Sequence, residues 1–206
     1  MSLEEVHKLA YEYLASKPDY ASFMPTVSGK SQPVIGNPEL GAKKAGEAIT
    51  PIENIRDGVS NNTKALVDVL LDNHTHLNWW NAYKEGDPAG RGMVERTAGC
   101  LLTGEAAPFS AEAGCAGFFY LQADVEYAAH AHMPDEIYAI LSGRARFWDS
   151  EIGWREAGAG DIVHMPSMIW HGMETREEPV LILWAWKGDN LGEKPVFRDN
   201  YGELPK

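Results

Sequence analysis

The segment HAHMPDEIYAILSG, residues 130–143, is the most informative stretch of this sequence. His130 and His132 are two residues apart, so on a β-strand both imidazoles project from the same face. A short turn then brings the carboxylate of Glu136 back toward them. Imidazole nitrogens combined with one carboxylate oxygen suit a divalent ion such as Fe(II), Mn(II), Ni(II) or Zn(II). The segment therefore predicts a site for one divalent transition metal.

A second segment, GDIVHMPSMIWHGM at residues 160–173, supplies a further ligand. Gly160 and Pro166 frame a turn, and His171 is predicted to lie on the strand that follows. The predicted metal ligands are His130, His132, Glu136 and His171.

Two tyrosines are predicted to reach the same cavity. Tyr138 follows Glu136 by two residues on the same strand, so both side chains point to one side. Tyr127 precedes His130 by three residues, at the mouth of its strand. A phenol has a pKa of about 10, but beside a divalent cation it can lose its proton near neutral pH and become a base. Tyr138 and Tyr127 are therefore predicted as catalytic residues.

The sequence before these segments has a helical texture. Residues 3–16 and 62–83 carry apolar side chains at helical spacing, which predicts two amphipathic helices. Residues 26–55 are rich in Gly, Pro, Ser, Lys and Ala and show little periodicity. They are predicted to form a long irregular connection.

After Met93 the texture changes to short apolar runs separated by turn residues, which is typical of antiparallel strands. The predicted strands are 94–102, 115–123, 136–141, 144–149, 161–164, 169–174 and 180–186. The predicted fold class is therefore α+β, with a helical N-terminal region (1–92) packed on a small C-terminal barrel or jelly roll (93–206).

Composition limits the classes of partner. The 206 residues include 18 Lys and Arg against 30 Asp and Glu, a formal net charge of −12, which argues against nucleic acid and anionic membranes. The longest apolar runs are too short to span a membrane, and the first residues lack the pattern of a secretory signal. Cys100 and Cys115 match no disulfide framework or zinc motif. We expect a soluble, cytoplasmic protein that binds neither nucleic acid nor membrane.

The two metal-ligand segments resemble the two cupin motifs. The first motif usually opens with Gly six residues before its first His, where this chain has Asp124, so the turn there is expected to be built differently. The resemblance implies a C-terminal cupin barrel. The residues that carry it are His130, His132, Glu136 and Gly143 in the first motif, and Gly160, Pro166 and His171 in the second.

The pattern YAAHAHMPDEIYAILSG, followed by IWHGM and VLILWAWKGDNL, is similar to the dimethylsulfoniopropionate lyases of the cupin type, particularly the DddQ group. That family also joins a helical N-terminal region to a C-terminal cupin barrel. The resemblance implies that Tyr138 is a further ligand or a base, that Tyr127 takes part in proton abstraction, and that His130 lies among or beside the ligands. The metal ligands that it implies are His132, Glu136 and His171.

The implied reaction is chemically coherent. Its substrate is a zwitterion with a carboxylate at one end and a dimethylsulfonium on the β carbon. A metal ion that binds the carboxylate and a phenolate that removes the adjacent proton would together release dimethyl sulfide and acrylate by β-elimination. Tyr120, Trp184 and Trp186 are predicted to bind the sulfonium, because a cation over an aromatic ring gains about 0.5 to 2 kcal/mol.

Two other functions fit the same ligands. An Fe(II)-dependent cupin oxygenase would keep open metal positions for dioxygen and substrate, although a tyrosine aimed at the metal would occupy that space. A non-catalytic small-molecule-binding cupin would need neither tyrosine. Exposed sheet edges also make a homodimer reasonable.

Overall fold

The computed structural model describes residues 2–33, 46–198 and 204–205. Its N-terminal part is helical, as predicted. Glu4 and Glu5 lie in the first turn of the first helix, where negative charge is favourable. No helix within the described ranges is long and apolar enough to cross a membrane. The α-helices in these ranges are α1 (Leu3–Ala15), α2 (Met24–Val27), α3 (Gly46–Ile49) and α4 (Lys64–Asn73), and 3₁₀ helices span Pro18–Phe23, Thr50–Gly58 and His74–His76.

The predicted helix at residues 62–83 is correct at its start and wrong at its end. Its α-helical part, α4, stops at Asn73 and is followed by one 3₁₀ turn. The chain then becomes extended, and the backbone of Trp80 exchanges two 2.8 Å hydrogen bonds with Gly99. Pairing with a strand therefore replaces the helical hydrogen bonds that the apolar spacing predicted.

The prediction that residues 26–55 are irregular is also partly wrong. Helix α2 ends within this stretch, α3 lies within it, and the 3₁₀ helix Thr50–Gly58 buries Ile52 and Ile55 in the core. These two apolar anchors explain why the segment is ordered against the barrel. Residues 34–45 of the stretch lie outside the described residues.

The C-terminal part consists of antiparallel strands, which confirms the predicted α+β class. The two predicted strands at 136–141 and 144–149 form one long strand, and the strands at 153–158 and 196–197 were missing from the prediction. The strand at 126–131 was absent from the predicted set, although the argument for His130 and Tyr127 assumed one there. The strands in the described residues are β1 (Thr97–Thr103), β2 (Cys115–Leu121), β3 (Glu126–Ala131), β4 (Asp135–Asp149), β5 (Gly153–Gly158), β6 (Ile162–Met165), β7 (His171–Glu174), β8 (Val180–Lys187) and β9 (Val196–Phe197).

The long strand β4 belongs to two sheets and joins them into a barrel. Its first part, up to Gly143, pairs with β8 and β6, and its second part pairs with β7 and β5. One sheet has the order β1-β2-β8-β4-β6 and the other β9-β3-β7-β4-β5. Gly143 has a φ of 74°, and a Cβ there would meet the carbonyl oxygen of Pro179 at 1.9 Å. Only glycine fits this bend.

The first sheet separates two apolar cores, and alternate residues of β8 show the division. Leu181 and Leu183 pack with α1, α4 and the outer face of the sheet. Ile182 and Trp184 point into the barrel. The helices and the barrel therefore share the outer core, while the inner core surrounds the predicted site. The division at residues 92 and 93 stays a prediction.

A β-bulge in β3 sets the positions of two predicted site residues. Tyr127 pairs with Met173 and His130 pairs with His171. Three steps along β3 therefore lie opposite two steps along β7, which leaves one extra residue in β3. The extra residue shifts the alternation and brings Tyr127 and His130 to the same face.

Asp124 occupies the turn before β3, where the cupin pattern has Gly. Its φ of 59° lies in the left-handed region that glycine favours. Its carboxylate contacts Arg91 and lies 3.2 Å from the guanidinium of Arg96. Aspartate tolerates this conformation better than most residues, and the two arginines hold its side chain in place.

Candidate metal centre

Three buried imidazoles meet inside the barrel. His130 lies on β3, His132 follows in the turn to β4, and His171 begins β7. One nitrogen from each ring lies within 4.8 Å of the others. Each residue is at most 4% exposed. The two motif segments therefore bring their histidines to one point, although they are separated in sequence.

The other ring nitrogen of each histidine is held by the backbone. In each ring Nδ1 donates to a carbonyl oxygen two residues away, so Nε2 is the nitrogen that faces the shared centre. Such hydrogen bonds fix the orientation and tautomer of imidazoles that bind metals. The bonds run from His130 to Ala128 (2.7 Å), from His132 to Pro134 (2.9 Å) and from His171 to Ile169 (3.0 Å).

Glu136 places a buried carboxylate beside this centre. Its Oε2 accepts a hydrogen bond from Nε2 of His132 at 2.9 Å and lies 3.5 Å from Nε2 of His171. Burial alone would raise the pKa of Glu136, but the two imidazoles outweigh burial and hold this pKa well below its ordinary value. For His132 the effects have the opposite signs: burial lowers its pKa, but the contact with Glu136 outweighs burial and raises this pKa above its ordinary value. The carboxylate is therefore a charged partner for any cation in the site.

The arrangement fits a divalent metal ion. Nε2 of His171 is buried and has no hydrogen-bond partner among the described residues. Burial also lowers the pKa of His130 well below its ordinary value, which keeps this imidazole neutral and able to bind a metal. Imidazole and carboxylate donors together suit first-row transition metals. His130, His132 and His171 could hold such an ion, and Glu136 is near enough to join them.

Both predicted tyrosines are buried beside the histidines. The ring of Tyr127 stacks on His130 at 4.0 Å, and the ring of Tyr138 lies 6.2 Å from that of His171. Burial raises the pKa of both phenols well above 10, and the charge of Glu136 adds to the effect. Both phenols are therefore neutral until a nearby positive charge favours ionisation.

A third tyrosine, Tyr83, belongs to the same group and was not predicted as a site residue. Its hydroxyl forms a short hydrogen bond with the hydroxyl of Tyr127. Phe119 and Phe197 are two further aromatic neighbours, with rings 6.1 Å from Tyr127 and Tyr83 respectively. No motif spacing marks Tyr83, because it lies in an irregular segment before the barrel.

The predicted substrate-binding aromatics divide into two groups. Trp186 lies 4.5 Å from the ring of His132, and Trp184 lies 5.7 Å from Trp186, so both border the centre. Tyr120 does not join them. It packs in the outer core under the helices, and its hydroxyl donates to the carbonyl of Pro51 at 3.3 Å. The placement of Tyr120 is a correction to the predicted set.

Comparisons with known proteins agree with this architecture. A family model for dimethylsulfoniopropionate lyase matches residues 47–182, which is more than half of the chain. The dimethylsulfoniopropionate lyase DddQ of Ruegeria pomeroyi is 34% identical over 125 residues. The match covers 61% of this chain, and the chain spans about 62% of the length of that relative.

Solved structures extend the similarity over almost the whole chain. The crystal structure of DddQ from Ruegeria pomeroyi superimposes with a TM-score of 0.78 at 28% identity, covering 98% of this chain and 99% of the other. A structure described with the lyases RdDddP and RnDddQII has a TM-score of 0.81 at 23% identity, covering 96% and 97%. A cupin-2 domain from Rhodospirillum rubrum matches with a TM-score of 0.50 at 15% identity, covering 62% and 78%. The chain therefore has a cupin fold and belongs to the dimethylsulfoniopropionate lyase family.

Proposed function

We propose that this protein cleaves dimethylsulfoniopropionate to dimethyl sulfide and acrylate by a metal-dependent β-elimination with a tyrosine base. The observation that carries the proposal is the convergence of three imidazoles, one carboxylate and two buried phenols inside the barrel. Membership of the lyase family supports the choice of substrate. Each group has a role that the reaction requires.

The reaction removes a proton from the carbon next to the substrate's carboxylate. The electron pair of that C–H bond forms the double bond of acrylate, and the pair of the C–S bond leaves with sulfur as neutral dimethyl sulfide. A divalent ion bound by His130, His132 and His171 would supply positive charge to the substrate's carboxylate as negative charge develops there. The proton passes to the oxygen of a tyrosine in its phenolate form, which becomes a neutral phenol.

We assign the proton transfer to Tyr127 rather than Tyr138. After burial, the charge of Glu136 is the largest cause that raises the pKa of Tyr138 and disfavours its ionised form, whereas for the pKa of Tyr127 it is the smallest cause. The hydroxyl of Tyr127 is instead bonded to another hydroxyl, which can act as donor. As a phenolate that accepts from the Tyr83 hydroxyl, Tyr127 can therefore offer a lone pair to the proton of the substrate.

The aromatic rings of Trp184 and Trp186 are suited to the other end of the substrate. A sulfonium cation is attracted to the face of an indole ring, and an uncharged wall does not retain the neutral dimethyl sulfide after cleavage. Both tryptophans lie on the inner side of β8 next to His132. We place the sulfonium against this wall and the carboxylate toward the histidines.

The direct test is headspace gas chromatography for dimethyl sulfide, with purified protein, dimethylsulfoniopropionate and Fe(II), Mn(II), Ni(II) or Zn(II) under nitrogen. We expect rapid release that a chelator abolishes. Release only in air would indicate the oxygenase, and tight substrate binding without product would indicate a binding protein. Either result would overturn the lyase proposal, as would no release and no binding with all four metals.

Two variants test the choice of base. Tyr127→Phe is expected to keep the bound metal and lose turnover by about 100-fold or more, within the range of general-base catalysis. Tyr138→Phe is expected to keep much of its metal and lose activity less severely. A Tyr127→Phe protein with full activity would overturn the assignment to this residue.

A further inference from the structure

We propose that Tyr83, from the segment before the barrel, is a positioning residue that sets the direction of the Tyr127 hydroxyl. The inference rests on the proposed function, because it concerns how the proposed base is presented to substrate. It adds to the reaction a residue from outside the two metal-ligand segments.

The side chains meet at their hydroxyl groups. The two rings lie edge to face with centroids 5.7 Å apart, and the hydroxyl oxygens are within hydrogen-bonding distance. The ring of Tyr127 is held on its other sides by His130 and by Phe119. Packing therefore fixes the plane of the ring. Among the described residues, Tyr83 is the one side chain that hydrogen-bonds to the Tyr127 hydroxyl and so fixes its direction.

The backbone holds the two tyrosines in this relation. The segment that follows Tyr83 pairs with β3, the strand that carries Tyr127. The amide of Glu126 donates to the carbonyl of Arg91, and the amide of Ala128 donates to the carbonyl of Ala89, both at 2.8 Å. The two bonds flank Tyr127 on either side along the strand. Movement of the segment relative to Tyr127 would break this pairing.

Glycine at position 90 allows the close approach of the segment to β3. Gly90 has a φ of 112°, and a Cβ at this position would lie 2.1 Å from the carbonyl oxygen of Glu126. A side chain would therefore push the segment away from the strand. The close approach of the segment to β3 therefore depends on glycine at position 90.

The direction of the hydrogen bond gives Tyr83 its role. Each phenol has one proton to donate and lone pairs to accept. As a phenolate Tyr127 has no proton of its own, so only Tyr83 can donate in the bond between them, and the other lone pairs of Tyr127 remain for the proton of the substrate carbon. Without the Tyr83 hydroxyl, the oxygen of Tyr127 loses its fixed donor and its preferred direction. Proton transfer depends on such alignment, whereas substrate binding does not.

The test is the Tyr83→Phe variant, which keeps the ring and removes only the hydroxyl. We expect kcat to fall about 10- to 100-fold, the effect of losing a hydrogen bond to a charged group, and KM to change by less than about threefold. Metal content is expected to equal that of the wild type. The matched control is Tyr20→Phe, because Tyr20 donates to the carbonyl of Ile162 on the outside of the barrel. This control is expected to retain wild-type kcat.

A double-variant cycle separates positioning from general damage. In a Tyr127→Phe background, removal of the Tyr83 hydroxyl is expected to change kcat by less than about twofold, since its partner is already absent. An equal loss in both backgrounds would overturn the proposal, as would wild-type kcat in Tyr83→Phe. A rise in KM with unchanged kcat would assign Tyr83 to substrate binding and would also overturn it.

A second measurement does not depend on turnover. The urea midpoints of the two single variants and the double variant are expected to be non-additive, because the two hydroxyls share one hydrogen bond. Additive shifts would show that the bond does not form and would overturn the inference. Failure of the proposed function is distinct: in that case the wild type itself releases no dimethyl sulfide, whatever the midpoints show.

Discussion

Asn81 fastens the segment that carries Tyr83, and its replacement by alanine tests how that segment is held. The side-chain amide donates to the carbonyls of Met93 (2.8 Å), Val94 (2.7 Å) and Thr97 (3.0 Å). Its oxygen accepts the backbone N–H of Tyr83 at 2.8 Å. Asn81 is 8% exposed, so water has little access to replace these partners. We predict that Asn81→Ala destabilises the protein and loosens Tyr83.

The size of the effect follows from the hydrogen bonds. The amide has two N–H groups to share among the carbonyls, and its oxygen makes one further bond. Three net hydrogen bonds at about 1 kcal/mol each give a loss of about 3 kcal/mol in the free energy of unfolding. For a chain of this length, that loss lowers the melting temperature by about 6 to 12 °C.

The assay is urea denaturation followed by far-ultraviolet circular dichroism, with Asn78→Ala as the matched control. Asn78 is exposed and only three residues away, so its variant is expected to stay within about 0.5 kcal/mol of wild type. At a temperature well below its midpoint, Asn81→Ala is also expected to lose kcat as Tyr83→Phe does. A loss below about 1 kcal/mol would refute the stability argument, and full kcat would refute the link to Tyr83.

Three further predictions concern the metal, the substrate and pH. His171→Ala is expected to lose both its metal and its activity, and metal analysis that finds one ion per chain would contradict this. Trp186→Leu is expected to raise KM by about 2- to 30-fold, from the 0.5 to 2 kcal/mol of a cation–π contact; an unchanged KM would remove Trp186 from the sulfonium wall. Asp149→Asn is expected to cost about 1 to 3 kcal/mol at pH 7, because Asp149 accepts two backbone N–H groups and pairs with Arg155. Burial would raise the pKa of Asp149, but Arg155 and the backbone lower it overall. The stabilisation is therefore complete above the unfolded pKa of about 3.9 and is lost as pH falls through the lower folded value. Urea midpoints measured against pH, with the exposed Asp189→Asn as control, test this sign.

The histidines could be located from sequence because their spacing has a physical cause. A metal site needs several donors on one face, and His130 and His132 satisfy that need within three residues. Gly160 and Pro166 were predicted to frame one turn, but β6 lies between them, and the turn before His171 begins at Pro166, where the amide of Ile169 donates to its carbonyl. The strand that carries His171 was nevertheless predicted. The structure brings the three together as the pattern indicated. Local chemistry and short-range geometry were sufficient for this part of the site.

Strand parity explains why one aromatic residue was placed wrongly. Trp184 pairs with Gly117 and Leu181 pairs with Tyr120 across β8 and β2. Directly paired residues share a face, so Tyr120 must point away from Trp184. The pairing register depends on contacts between distant segments, and no residue in β2 reveals it. Because β2 and β8 are both rich in aromatic residues, the predicted substrate-binding set combined residues from opposite faces of the sheet.

The bulge in β3 is a second feature that the sequence does not reveal. Simple alternation places Tyr127 and His130 on opposite faces, because they are three residues apart. The inserted residue opposite β7 reverses that result. Its cause lies in the pairing of Tyr127 with Met173 and of His130 with His171, which is a property of two strands rather than one. Tyr127 was placed near His130 from its position at the mouth of the strand, and the bulge supplies the physical basis that simple alternation does not.

The boundary predicted from composition, at residues 92 and 93, separates residues that are in contact in the structure. Residues 81–92 lack the strand texture that begins after Met93, so the predicted boundary assigns Tyr83 to the helical region. Yet the carbonyls of Ala89 and Arg91 accept hydrogen bonds from β3, and Tyr83 reaches the proposed base. These contacts are made by backbone atoms and by one hydroxyl. Neither produces a periodic pattern of apolar residues in the sequence. Composition alone therefore does not reveal that this irregular segment lies against β3, beside the site.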